Sequence, residues 1–192
     1  PLASLEVAYL AKEAGLPDES ILHEHDATLP GFYRATKRWD LAVVHEGELL
    51  AVIEFKSISS SFGNNLNNRV EEALGNATDL WTAFREGAFT APQRPFVGYL
   101  MFLEDCKKSR TPVAANCQHF DILPEFANTS YAARYDLLCR KLVQEGLYSS
   151  ACLLLSSRTG GSEGEYTELG TTTGLRNFVT ALAGHIAAAS EL

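Results

Sequence analysis

The stretch "WDLAVVHEGELLAVIEFKS", Trp39 to Ser57, decides the fold. Two runs rich in Val, Ile and Leu flank His45-Glu46-Gly47, which predicts a hairpin of strands Trp39–Val44 and Glu48–Ser57. Charges break the apolar pattern at Asp40, Glu54 and Lys56. Strand alternation puts Val52, Glu54 and Lys56 on one face, and Ala51, Ile53 and Phe55 on the other. The face of Asp40 depends on the turn, because a one-residue slip turns a strand over. A two-residue Glu46-Gly47 turn sets Asp40 opposite Ile53, on the wrong face. A three-residue loop, His45-Glu46-Gly47, sets it opposite Val52, on the Glu54 face. Such loops favour a left-handed residue at the third position, where Gly47 stands. The turn chemistry therefore predicts the register that gathers the charges.

In that register Asp40 and Glu54 are diagonal neighbours, roughly 7–8 Å apart at the Cα atoms. Two carboxylates so placed can close around one hard cation. Mg²⁺ suits them, because it takes oxygen ligands and keeps several waters, and the carbonyl of Phe55 can add a ligand. Lys56 then lies beside a metal-bound water, to position or deprotonate it or to stabilise developing charge. The bland alternative is a salt-bridge ladder on a solvated face. Val52 and Leu50, expected on the same face, argue that it is partly covered, and covered charges usually mark function.

The chain has 192 residues, of which 46% are hydrophobic, enough for one sizeable core and a single domain spanning 1–192. It begins at Pro1 without Met, which reads as a processed or trimmed end with residues missing upstream. No run of about eighteen apolar residues and no signal-peptide pattern occurs, so the expectation is a cytoplasmic protein with no membrane partner. Cys106, Cys117, Cys139 and Cys152 are widely spaced and read as free thiols, the spacing of Cys106, Cys117 and His119 fitting no strong zinc template. A net charge of −8 taken alone argues against a nucleic-acid partner. Local basic clusters nevertheless occur at Arg34, Lys37 and Arg38, and at Lys107, Lys108 and Arg110.

Along the chain, Leu5 to Ala11 predicts a first helix, and "HEHDATLPGFYRATKR" a polar loop entering the hairpin. "SSSFGNNLNNR" reads as a small polar stretch with Gly63 free to turn. Leu66, Val70, Ala73, Ala77, Leu80, Trp81 and Phe84 then step by three and four, predicting a long helix closed by Gly87. "PFVGYLMFLE", Pro95–Glu104, predicts a buried strand. Glu104–Asn128 reads as irregular. A helix follows from Tyr131 to about Glu145, then the strand "SACLLLSS", then a helix from Gly174 to about Ser190 capped by Thr173. The order predicts an α/β fold: a mixed central sheet with flanking helices.

These residues resemble the PD-(D/E)XK nuclease superfamily, with Trp39-Asp40 at the Pro-Asp position and Glu54-Phe55-Lys56 at (D/E)-X-K. The longer stretches "LPGFYRATKRWDLAVVHEGELLAVIEFKS" and "SFGNNLNNRVEEALGNATDLWTAFREG" resemble the XhoI family of type II restriction endonucleases. The resemblance implies a Mg²⁺-dependent endonuclease that cuts double-stranded DNA at the palindrome CTCGAG, leaving 5′ overhangs, as a homodimer. It implies Asp40 and Glu54 as metal ligands and Lys56 as the catalytic lysine. Trp39 in place of Pro departs from the superfamily pattern but fits this family. Many superfamily members add an acid from the first helix, for which Glu6 is the candidate and Glu13 the second.

Asn64, Asn65, Asn67, Asn68 and Arg69 follow the catalytic strand. Asn can pair with adenine, Arg with guanine, and both with phosphates, although at least one Asn is expected to cap the helix instead. Arg34, Lys37 and Arg38 enter just ahead of Asp40 and read as phosphate clamps. Lys107, Lys108, Arg110, Asn116 and Gln118 lie in the long loop, a further place for base readout. Three functions stay open on the residues: a site-specific restriction endonuclease, a repair or junction-resolving nuclease on the same scaffold, and a DNA-binding domain in which the triad is only a salt-bridge set.

Overall fold

The computed structural model describes residues 16–89 and 93–190. The helix expected over Leu5 to Ala11, with Glu6 and Glu13, lies outside them. Strands β1 (Ile21–His23), β4 (Leu41–His45), β5 (Glu48–Ile58), β6 (Phe96–Glu104) and β9 (Ser150–Ser156) form one sheet in the order β1-β4-β5-β6-β9. The hairpin half of the sheet is antiparallel, and β5, β6 and β9 run parallel. Helices α1 (Phe62–Arg85) and α3 (Tyr131–Gln144) cover one face, and α5 (Leu175–Ser190) covers the other. The expected α/β architecture is therefore present, with a mixed sheet between helical layers.

The continuous apolar run of β6 follows from its central place. Val97, Tyr99, Met101 and Leu103 pack against Ala73, Ala77, Leu80, Trp81, Tyr135 and Cys139 beneath α1 and α3. Phe96 and Leu100 pack on the opposite face against Phe178, Leu182 and Ile186 of α5. A strand covered on both faces has no polar side to show.

The hairpin turn differs from the expected three-residue loop. His45 pairs with Glu48 across a two-residue turn, with φ of 50° at Glu46 and 83° at Gly47. Left-handed values at both central residues match the right-handed twist of a hairpin. Alone, this turn would aim Asp40 away from Glu54. Between Val43 and Val44, however, the register shifts: Val44 pairs with Leu49 and Val43 with Ala51. Leu50 is the extra residue of a β-bulge. Leu50 and Ala51 pack together on the α5 side, whereas Leu49 and Val52 pack on the α1–α3 side. Beyond the bulge Ala42 faces Val52 and Leu41 faces Ile53, so the next step brings Asp40 opposite Glu54. The acids share a face, as expected, but the bulge and not a longer loop puts them there. Leu50 accordingly leaves the Glu54 face.

Three further expectations are corrected. The polar loop before the hairpin contains strands β2 (Thr28–Pro30) and β3 (Thr36–Arg38), paired antiparallel as a separate small hairpin. Helix α1 begins at Phe62, so the Asn-rich stretch is mostly helical. Gly63 packs there against Tyr131, where an added Cβ would lie 2.7 Å from the hydroxyl. Thr173 does not serve as the expected cap of α5. It is buried, and its hydroxyl donates to Asp136 Oδ1 at 2.6 Å, while Glu168 Oε1 accepts the Leu175 N–H at 2.8 Å.

The stretch expected to be irregular, Glu104–Asn128, holds α2 (Lys107–Arg110) and β7 (Pro112–Val113), the latter paired with β8 (Thr129–Ser130) just beyond it. A one-turn helix, α4 (Arg158–Ser162), follows β9. No disulfide joins any of the four cysteines, and among the described residues no cluster of three or more His, Cys, Asp or Glu side chains could hold a metal ion. Among those residues, too, no helix is long and apolar enough to cross a membrane.

Candidate active site

Strand β5 carries the centre of the site. Glu54 lies where β5 meets β6, opposite Tyr99, and is 5% exposed. A carboxylate so enclosed needs partners, and both its oxygens have one. Lys56, its same-face neighbour on β5, donates to Oε1, and Lys37 on β3 donates to Oε2 at 2.9 Å. Asp40, just ahead of β4, turns its Oδ2 toward the same point and accepts the Phe55 N–H at 2.7 Å. The Lys56 ammonium lies 3.7 Å from that Oδ2. Asp40, Glu54 and Lys56 thus converge, with Lys37 as a fourth member. Two carboxylates and two ammonium groups balance.

The sequence places Lys37 on a phosphate. In the structure its side chain lies inside the site, 10% exposed. Its ammonium also donates to the Arg38 carbonyl at 2.9 Å and sits 4.4 Å from the centroid of the Trp39 ring. Trp39 is buried at the edge of the core, so the lysine stem has an apolar wall.

The small hairpin that delivers Lys37 is fastened by α1. Asp79, 3% exposed, accepts the backbone N–H groups of Phe32 and Tyr33 at 2.8 and 2.7 Å. Its other oxygen takes Arg34 Nε at 2.7 Å, and Arg34 also donates to the buried Asn76 at 2.7 Å. Burial works against the Asp79 charge, yet Arg34 and the two backbone donors hold its carboxyl below the usual range. Arg34 therefore braces this hairpin while its side chain stays 46% exposed; Arg38 is exposed as well. The role of Asp79 is not evident from the sequence. The available signal is a charge in the apolar stripe of α1, three residues beyond Asn76 and one before Leu80.

The Asn-rich stretch divides on the helix. Asn65 donates to the Ser60 carbonyl at 2.7 Å and Asn67 to Glu71 at 2.9 Å, so both are engaged locally. Asn64 and Asn68 are exposed and stand one turn apart on one side of α1. Arg69 pairs with Glu72 at 2.8 Å and has its Nε buried without a hydrogen-bond partner. It points into the protein more than out of it. The Tyr99 hydroxyl, also buried and unpartnered, belongs to the residue that faces Glu54. Burial foremost, and the Glu54 charge in part, pushes its ionisation up, so it stays protonated. In the long loop Arg110 is held by Asp105 at 2.7 and 2.8 Å, while Lys107, Lys108, Asn116 and Gln118 are exposed.

The donors present fit a divalent cation of the hard, oxygen-seeking kind. Two carboxylates and the Phe55 carbonyl supply oxygen only. The enclosed Glu54 already draws two ammonium groups to itself, which shows a demand for positive charge at that point.

A family model described as "Restriction endonuclease XhoI" matches residues 4–168. The chain is 47% identical over 189 residues to the type II restriction enzyme BstVI of Geobacillus stearothermophilus, covering 95% of this chain and 84% of that protein. It is 46% identical over 140 residues to the type II restriction enzyme XhoI of Xanthomonas vasicola, covering 71% of this chain and 56% of that protein. Over 94 residues it is 56% identical to the type II restriction enzyme AbrI of Azospirillum brasilense, covering 48% of this chain and 42% of that protein. No solved structure matches.

Proposed function

The chain belongs to the restriction endonuclease XhoI family and is a type II restriction endonuclease, and on that premise we propose that it cuts double-stranded DNA at CTCGAG in a Mg²⁺-dependent reaction, as a cytoplasmic homodimer. The observation that carries the catalytic part is the meeting of Asp40, Glu54 and Lys56 on one face of the hairpin. Asp40, Glu54 and the Phe55 carbonyl hold the cation, with Glu6 as the further acid from the first segment. Bound there, Mg²⁺ supplies Lewis acidity toward a phosphoryl oxygen and lowers the pKa of water.

The protein's own groups do the positioning. Lys56, anchored between both acids, orients the attacking water and meets the charge that develops on the phosphate. The Asp40–Phe55 bond keeps the first acid turned toward β5. Exposed Arg38, Lys107 and Lys108 supply phosphate contacts, and Asn64 and Asn68 present one side of α1 to base edges or backbone. A palindrome read by two equal halves calls for two copies related by a two-fold axis. The whole chain serves as a single catalytic domain.

The test is incubation with plasmid DNA containing CTCGAG, with Mg²⁺ and then with EDTA. Discrete fragments ending at that sequence, lost with EDTA, are expected, together with a dimer mass by light scattering. A smear, or cutting that survives chelation, contradicts the proposal.

A further inference from the structure

Glu54 carries an ammonium group on each oxygen, and the two arrive from different places. Lys56 comes from the strand that holds Glu54 and is shared with Asp40. Lys37 comes from the small β2–β3 hairpin, outside the central sheet, and sits at 2.9 Å. A lysine meant only for a phosphate would reach into solvent. This one is drawn inward, 10% exposed, and is oriented by the Arg38 carbonyl and the Trp39 ring.

A divalent cation held by Asp40 and Glu54 must face oxygens that already face two ammonium groups. Four positive charges around two carboxylates repel strongly in a half-buried site. One ammonium has to withdraw. Lys56 has two acids to hold it, and Lys37 has one. The Lys37 stem is long and flexible, and its neighbour Arg38 already faces solvent.

We propose that Lys37 is a resident counter-cation of the metal site: it occupies Glu54 when no metal is bound, yields that place to a divalent cation, and then turns to a phosphate of bound DNA. The proposal deepens the proposed function and rests on Asp40 and Glu54 being metal ligands. Lys37 is thus a positioning residue that couples the two ligands. Metal alone binds against a competitor, and DNA helps by giving the displaced ammonium a new partner.

Calorimetric titration of the intact protein with Ca²⁺, without DNA, tests this for wild type, K37M, K37Q, K37R and E54Q. K37M and K37Q are expected to bind Ca²⁺ about tenfold more tightly than wild type, a difference of about 1.4 kcal/mol. K37R keeps the cation and should stay near wild type. K37Q serves if K37M does not fold. Unchanged or weaker Ca²⁺ binding in the folded neutral variant overturns the proposal. E54Q is expected to lose Ca²⁺ binding; if it keeps wild-type affinity, the metal-ligand reading itself fails, whatever Lys37 does. Anisotropy with a duplex carrying CTCGAG supplies the second readout. Ca²⁺ should tighten DNA binding less in K37M than in wild type, and an equal gain in both overturns the coupling.

Discussion

The Asp40 carboxylate accepts the backbone N–H of Phe55 at 2.7 Å, so the first acid of the site is fixed by the strand that carries the second. Asn can keep that acceptor while removing the charge. D40N is expected to retain its melting temperature within the equivalent of about 1 kcal/mol, while cleavage falls by about a hundredfold or more. D40A loses the acceptor too and should melt lower than D40N. Paired melting curves and single-turnover rates check both statements, and a D40N enzyme cutting near the wild-type rate would refute the assignment.

Lys56 bridges both acids. K56A is expected to abolish cleavage, by roughly 10²–10³ in rate or more, and to leave DNA binding largely intact. Anisotropy in Ca²⁺ measures binding, and plasmid cleavage measures rate. Residual cutting near the original rate removes Lys56 from the catalytic role.

Asp79 holds the small hairpin to α1 through two backbone bonds and Arg34. D79A strands those donors and is expected to cost about 2–4 kcal/mol. The pH dependence has a definite sign. A carboxyl whose pKa is lower when folded stabilises the fold above its unfolded value, near 3.8, and that contribution fades as pH falls through the lower folded value. Acid unfolding of wild type should therefore be steeper below about pH 4 than that of D79N. Identical acid slopes in the two proteins would show that Asp79 titrates the same way folded and unfolded.

Leu50 is buried on the α5 side and is the extra residue of the bulge. Its deletion leaves Leu49 followed by Ala51, a regular ladder in which Ala42 still meets Val52 and Asp40 still meets Glu54. The variant is expected to lose about 2–5 kcal/mol from the vacated core and to cut DNA at low temperature. L50A should lose similar stability. Total loss of activity in a folded deletion variant would mean that the bulge shapes the site as well as its register.

Much of the fold and of the site is legible in the amino-acid sequence. The apolar period marks α1, α3, β5 and β6, because side-chain burial repeats with the element. The acids and Lys56 are legible as chemistry, and the longer resemblance narrows three functions to the one the family match supports. What escapes depends on contacts distant in sequence. The turn at Glu46-Gly47 has sound two-residue chemistry, but the shift at Leu50 is a packing decision between two hydrophobic layers. Nothing in "GELLAV" marks which Leu goes to which side. Lys37 reads as a solvated clamp because its partner Glu54 is reached only once β2–β3 folds onto the sheet. Arg34 reads as a free cation for a related reason, since Asp79 meets it from the helix; Arg69 instead pairs locally with Glu72, three residues on. Asn residues in a small polar stretch read as a loop, whereas Phe62 anchors the helix earlier.

The Leu50 bulge also bears on how sequences of this kind are to be aligned. Whether two residues on adjoining antiparallel strands share a face depends on the count between them once turn and bulge residues are set aside: an even remainder puts them on one face. An added residue at the hairpin tip enlarges the turn, an added residue such as Leu50 within β5 makes a bulge, and both leave that remainder unchanged. A relative with a tip one residue longer, or one without the extra Leu, therefore keeps its two acids facing, and a single gap at Gly47 or near Leu50 is compatible with an intact site. A gap that falls instead within Leu41–Val43 or Val52–Ile53, where every residue is paired, moves one acid to the wrong layer, however well the surrounding letters agree.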